Sequence, residues 1–342
     1  MSGSLNRNSY FDNARFILIV LVVFGHLISP FREESHFIST VYNFIYSFHM
    51  PAFILIAGFF SKGYSKDGYM KKVLYRVLVP YITFQFFYYI LYSIQGKGVT
   101  FTLMDPYWTL WFLLSLLCWN ILLKVFTKFK YPLFYAVIVG MLVGYIDSIG
   151  SFLSLSRTFV FFPLFLLGFY LNENHFKFII NKKMKVLSTA AMIVILLTYY
   201  FYFPKGGRDW LIATSSYFDL GIEQLHYAMF IRLFIYILMF VITVCFLTLV
   251  PKERYFFTHL GGRTLYIYLL HGLVIKVLQS TSIFDFTITA ASLFVFILTT
   301  LFISFGLASK PVITFTKPII EMYRFISLNQ RENKNSAQKL AS

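Results

Sequence analysis

Apolar stretches of about 20 residues recur along the whole chain, and a helix of that length is what crosses the hydrocarbon of a bilayer. Ten stretches qualify: residues 14–31, 38–60, 74–95, 107–126, 132–147, 157–171, 186–203, 226–250, 262–280 and 286–308. The fifth and sixth are short enough to be tilted, broken or partly buried. Composition agrees: of 342 residues 58% are hydrophobic and 13% charged, against about 25% charged in soluble domains. The expected fold is therefore all-α, a polytopic membrane helical bundle of about ten transmembrane helices over residues 1–310. A polar cytoplasmic tail, 311–342, follows and reads as disordered, too short for a soluble catalytic domain.

Charge orients the bundle. A formal net charge of +16 would suit a nucleic-acid partner in a soluble protein, but membrane proteins collect Lys and Arg on the cytoplasmic side. With the amino terminus inside, 22 of the 30 Lys and Arg fall on inner segments and only Arg32, Lys97, Lys205 and Arg208 on outer loops. Both termini are thus expected in the cytoplasm, with no nucleic-acid partner and contact with membrane lipids. The first apolar run lacks a small-residue cleavage pattern and reads as a span rather than a signal peptide. Cys118 and Cys245 sit inside apolar runs and read as packing residues, not a disulfide.

Four cations resist this sorting: Arg15, Arg157, Arg232 and Lys276 fall within spans or at their edges, where ionisable groups are functional candidates. Arg15 is the most informative. It stands eleven residues before His26, with only Phe, Ile, Leu, Val and Gly25 between them. Eleven residues are close to three helical turns, so both side chains share one face, roughly 16 Å apart along the axis. One end of that face carries a fixed charge and the other a titratable base. Either they line a functional channel, or Arg15 anchors at a headgroup and His26 bonds a neighbouring carbonyl.

Other groups cluster near the two ends. His49, in Phe48-His49-Met50-Pro51, enters from outside and shares the outer half of the bilayer with His26. Lys71, Lys72 and Arg76 open the third span, and Lys72 and Arg76 share a helix face. They suit a polyphosphate or anionic lipid headgroups. Trp108 lies in an aromatic start to the fourth span, Arg157 at the start of the sixth, and His271 in the ninth. The loop from Pro204 to Leu225 is either a cap or a flexible connection. No His or Cys spacing supports a metal, and no Gly-x-Ser-x-Gly elbow is present.

Read in order, these pieces resemble the acyltransferase 3 family of integral membrane O-acyltransferases, especially its fucose 4-O-acetylase-like and exopolysaccharide O-acyltransferase branch. The matching residues are Tyr10-Phe-Asp12-Asn-Ala-Arg15 with Gly25-His26, and Phe48-His49-Met50-Pro51 with Gly58-Phe-Phe. Arg76 with Pro80-Tyr81, Trp108 to Phe112, Arg157 with Phe162-Pro163 and Leu167-Gly168, and Thr264-Leu265-Tyr266 through His271 complete the set. They cover about residues 8 to 275. The resemblance implies transfer of an acyl group, usually acetyl, from cytoplasmic acyl-CoA to a carbohydrate hydroxyl at or beyond the outer face of a bacterial cytoplasmic membrane. The family's Arg-x10-His pair maps onto Arg15 and His26. Of its Arg-x-x-Arg element only Arg76 matches, with Val73 at the partner position and Lys72 beside it.

Acyl transfer from a thioester to an alcohol needs a base for the hydroxyl and a donor for the oxyanion. His26 is the expected base or relay, with Arg15 and Asp12 on the inner part of its face as further catalytic candidates. Lys71, Lys72 and Arg76 are the expected CoA-phosphate ligands. His49, Arg157, Trp108 and His271 are expected to meet the acceptor. Partners in polysaccharide synthesis are implied, and oligomeric state is open. A permease or flippase is the competing reading, although the two related halves it predicts are not seen. A non-catalytic scaffold leaves the Arg15 and His26 alignment unexplained.

Overall fold

The computed structural model describes residues 8–150, 152–204, 206–222, 224–281 and 288–322, and among these all regular structure is helical. The first helix, α1 (Ser9–Ile28), is capped by Asn8, whose side chain accepts from the Tyr10 amide at 3.0 Å. It is followed by α2 (His36–Tyr46) and α3 (His49–Phe59), which form one span broken at Ser47-Phe48. The break puts Pro51 in the first turn of α3, where its missing N–H leaves no helical hydrogen bond unmade. Next come α4 (Tyr69–Ile94), α5 (Trp111–Phe126), α6 (Pro132–Leu142), α7 (Leu155–Tyr170) and the short α8 (Glu173–Ile179). The chain continues with α9 (Lys182–Tyr202), α10 (Gly207–Ile212), α11 (Leu225–Leu249), α12 (Thr264–Gln279), α13 (Ala290–Leu307) and α14 (Lys310–Ile320).

Among the described residues, six helical segments are long and apolar enough to cross a membrane: Ser9–Arg32, His36–Phe59, Tyr69–Ile94, Phe152–Tyr170, Lys182–Tyr202 and Leu225–Leu249. The expected sixth span is thus met by α7 and a short helical piece before it, joined through a kink at Leu153 and Ser154, both with positive φ. Three other expected spans are shorter helices, Trp111–Phe126, Pro132–Tyr145 and Thr264–Gln279. The expected tenth span ends in a helix, Ser292–Leu307, that meets Lys310–Ile320 at a bend of 62°. That bend corrects the expectation that the chain is disordered from residue 311. A helix forms instead, because Ile320 is fully buried and anchors it. Residues 323–342 of the expected tail lie outside the described residues, as do 1–7, Lys205 and the first two residues of the expected tenth span.

Apolar side chains cover the outside, with Phe302 80%, Phe201 68% and Phe234 64% exposed. In water such a surface is unfavourable, and in lipid it is the matched one. Inside, helices are drawn together by small residues. A Cβ at Gly58 would stand 1.9 Å from the Phe165 carbonyl oxygen, and one at Gly168 would stand 1.9 Å from that of Leu55. Each glycine of α3 and α7 therefore receives the backbone of the other helix, the close approach that binds helices where lipid removes the hydrophobic drive.

The start of α1 is fixed by side chains that the sequence pattern made conspicuous. Tyr10 donates to the Leu247 carbonyl at 2.7 Å. Asn13 donates to the carbonyls of Pro251 and Glu253, both at 2.9 Å, and accepts from Thr258 at 2.6 Å. These bonds satisfy buried polar groups and hold α1 in one rotation about its axis. The Arg15 and His26 face consequently points inward.

Candidate active site

Along that face Arg15, Ile19, Val22 and His26 follow one another at helical spacing, and they line two cavities. The cavity at the Arg15 end is about 450 Å³, and Arg15, Ile19, Val22 and Arg76 are among its walls. The cavity at the His26 end is about 280 Å³, and Val22, His26, His49 and Arg157 are among its walls. Val22, Met50 and Tyr268 belong to both. The two spaces therefore abut near the middle of the bundle, with a cation at one end and an imidazole at the other.

His26 is held from several sides. Its Nδ1 lies 3.2 Å from the Tyr46 hydroxyl, and its ring lies 4.6 Å from the Trp108 ring and 5.6 Å from that of His271. Tyr46 is itself fixed by stacking on Tyr42 at 3.9 Å and by an edge contact with His49 at 4.7 Å. His49 Nδ1 faces the Ile45 carbonyl at 2.8 Å, so Nδ1 carries the proton and Nε2 is left as an acceptor. The two histidines expected to share the outer half of the bundle do line one cavity, with Tyr46 between them.

Trp108 reaches this place through an irregular segment, not a helix. The expected fourth span starts at 107, but α5 starts at Trp111, and Trp108 has a φ of 42°, uncommon for a bulky residue. Buried Gln85 of α4 holds the segment: it donates to the carbonyls of Thr102 at 2.8 Å and Asp105 at 2.7 Å and accepts from the Tyr107 amide at 3.0 Å. Tyr268 donates to the Thr109 carbonyl at 2.5 Å. Strain kept in place by such bonds is a mark of a functional site. The indole is occupied by His26 and, 4.4 Å above its ring, by the Lys276 ammonium.

Asp12 and Arg15 form an ion pair, and Arg15 also donates to the Phe11 carbonyl at 3.2 Å. Asp12 is buried, lines neither cavity and faces Arg15. The expected phosphate ligands separate. Arg76 lines the Arg15 cavity, Lys71 lines a basic depression of about 640 Å³ shared with Lys66, Lys124 and Lys128, and exposed Lys72 lines neither. Arg157 lines the His26 cavity, its guanidinium 4.9 Å over the Trp111 ring. His271 does not line it. It is fully buried behind His26 and Trp108, with Nδ1 2.9 Å from the Ile267 carbonyl and its ring 5.6 Å from that of His26.

Several residues of the site were not singled out from sequence. Tyr46, Tyr268 and Gln85 are polar groups with apolar neighbours on their helices, and that is the signal that could have marked them. Arg208 reaches the His26 cavity because the segment after α9 folds back over it. Arg157 Nε donates to the Ile212 carbonyl at 3.3 Å, Ser156 to that of Ala213 at 2.9 Å, and Arg232 to that of Trp210 at 2.6 Å. The loop from Pro204 to Leu225 is therefore a cap, and Arg232 serves it from a buried position.

Polar side chains from several helices meet around two abutting cavities in an apolar bundle, and comparison shows which family such a chain belongs to. Residues 8–309 match the acyltransferase domain of the acyltransferase 3 family. The chain belongs to that family. Among curated proteins it is similar to nodulation protein NolL of Sinorhizobium fredii, 31% identical over 186 residues, covering 49% of this chain and 50% of the relative. NolL of Mesorhizobium japonicum is 29% identical over 143 residues, 38% of each. The chain thus spans half or less of the length of the curated relatives it matches. No solved structure matches it.

Proposed function

We propose that this acyltransferase moves an acyl group, acetyl in the simplest case, from cytoplasmic acyl-CoA to a carbohydrate hydroxyl on the far side of a bacterial cytoplasmic membrane. The observation that carries this reading is the run Arg15, Ile19, Val22, His26 along two abutting cavities. The uneven distribution of Lys and Arg supports a cytoplasmic Arg15 end and cytoplasmic termini. All ten apolar segments then cross or enter the bilayer.

Donor phosphates bind at the Arg15 end, where Arg76 and the depression formed by Lys66, Lys71, Lys124 and Lys128 supply cations. The pantetheine arm extends along the Arg15 cavity and brings the thioester toward Val22, Met50 and Tyr268. The acceptor enters the His26 cavity. His26 takes the hydroxyl proton, the oxygen attacks the thioester carbonyl, the carbon–sulfur bond breaks, and the CoA thiolate leaves and is protonated. Tyr46 orients the imidazole. Arg157 is the cation positioned for the oxyanion or the acceptor.

The test is a radiolabelled acyl-CoA assay on the purified full chain with His26→Ala beside it. Wild type is expected to release free CoA and transfer label, and the variant to lose about a hundredfold or more in rate while binding CoA normally. Near-normal transfer by the variant removes His26 from its central role. A path through the bundle also suits a permease, but a permease neither binds CoA nor transfers label.

A further inference from the structure

The walls of the His26 cavity carry charge of one sign. Arg32, Arg157, Arg208 and Lys276 line it, and no Asp or Glu among the described residues does. Two of the four are balanced from outside the cavity. Arg32 Nη2 lies 2.9 Å from Glu33 Oε1, and Arg208 Nη1 lies 2.9 Å from Asp209 Oδ1.

Arg157 and Lys276 have no carboxylate partner among the described residues. Arg157 lies over Trp111 and donates to a backbone carbonyl. Lys276 lies over Trp108 and donates to the Gln279 side-chain oxygen at 2.9 Å. An indole face and a neutral oxygen replace only part of the hydration that a cation loses inside a bundle. The oxyanion of acyl transfer matches at most one of the two, and it exists only during reaction. The remaining charge is present in the resting protein, half-buried on the cavity wall, and an anion that arrives with a substrate matches it.

We propose that the acceptor is anionic: a glycan whose phosphate or carboxylate is bound by Arg157 and Lys276 while a neighbouring hydroxyl faces His26. This rests on the His26 cavity being the acceptor site. The guanidinium suits a two-oxygen grip on a planar or tetrahedral oxyanion, and the ammonium acts as a point charge beside it. Neutral sugars would leave both cations unmatched and bind weakly.

Surface glycans from cells with and without the full chain are to be compared for the ester that disappears, and the sugar bearing it identified. An ester on a phosphate-bearing repeat or on a uronate-containing one supports the inference and tells the two anions apart. A missing ester on a neutral glycan overturns it, even if the acyl group itself is a dicarboxylic half-ester, and leaves the proposed acyl transfer standing. No missing ester overturns both.

The full chain in lipid nanodiscs is also to be titrated with glucose 1-phosphate, glucuronate and methyl glucoside, following protection against thermal unfolding. At least one anion is expected to protect and methyl glucoside is not. Half-buried Lys276 is the variant site least disturbing to the fold, with unchanged protection by CoA as the check. Lys276→Gln is expected to raise the half-saturating anion concentration by about tenfold, because a charged hydrogen bond is lost. Lys276→Arg is expected to restore it, and Lys182→Gln, at an exposed lysine outside the cavities, to leave it unchanged. Equal protection by methyl glucoside, no protection by either anion, or equal effects of Lys276→Gln and Lys182→Gln overturns the proposal.

Discussion

An imidazole buried in an apolar bundle is useful as a base only if its orientation is set, and His26 is oriented by Tyr46 on one side and by Trp108 and His271 on the others. Tyr46 has no alternative place. A Cβ at Gly25 would stand 2.9 Å from its ring, so the small residue before His26 makes room for the residue that orients it. Tyr46→Phe removes only the hydroxyl and keeps the stack on Tyr42. It is expected to lower the acyl-transfer rate by about tenfold, the scale of one lost neutral hydrogen bond, with unchanged protein level and CoA affinity. A rate equal to wild type would show that Tyr46 packs and does not orient.

Helix contacts place these residues, and the tightest contact lies between α3, which carries His49, and α7, which carries Arg157. The reciprocal approach of Gly58 and Gly168 leaves no room for a methyl group. Either glycine replaced by Ala drives the helices apart, and the expected loss is on the order of 2 kcal/mol or more, as for overpacking in a tight core. Thermal unfolding of the purified variants reads it, and a melting temperature equal to wild type would mean that the helices slide freely. The cap over the His26 cavity depends on a different element. Arg232 of α11 is 2% exposed and bonds the Trp210 carbonyl under α10. Arg232→Met is expected to leave the bundle folded, to expose the segment between α9 and α11 to protease, and to weaken acceptor use. Protease resistance equal to wild type would assign Arg232 another role.

Across the whole molecule the cations divide into two groups with different tasks, and salt separates them from the packing terms. The Lys66, Lys71, Lys124 and Lys128 depression is open to solvent. Raising ionic strength from about 0.1 to 1 M shortens the screening length from about 10 to 3 Å. CoA affinity is therefore expected to fall with salt in wild type and to fall less when the four lysines are replaced by Gln. Salt-independent affinity in wild type would remove the phosphates from this depression. The sequence by itself determined that the chain is helical and membrane-bound, since a run such as Phe16 to Phe24 has no other stable setting. It also determined that Arg15 and His26 share a face, because helical periodicity is local. What only the tertiary structure decided is where that face points and what meets it. Tyr46, Trp108 and the α12 pair Tyr268 and Lys276 come from three separate segments, and no spacing along the chain encodes their convergence. The positions where the reading fell short have the same cause. Lys72 shares a face with Arg76 yet lines neither cavity, and His271 sits one layer behind the site, because periodicity fixes a direction from a helix axis and only packed neighbours fix what lies in that direction.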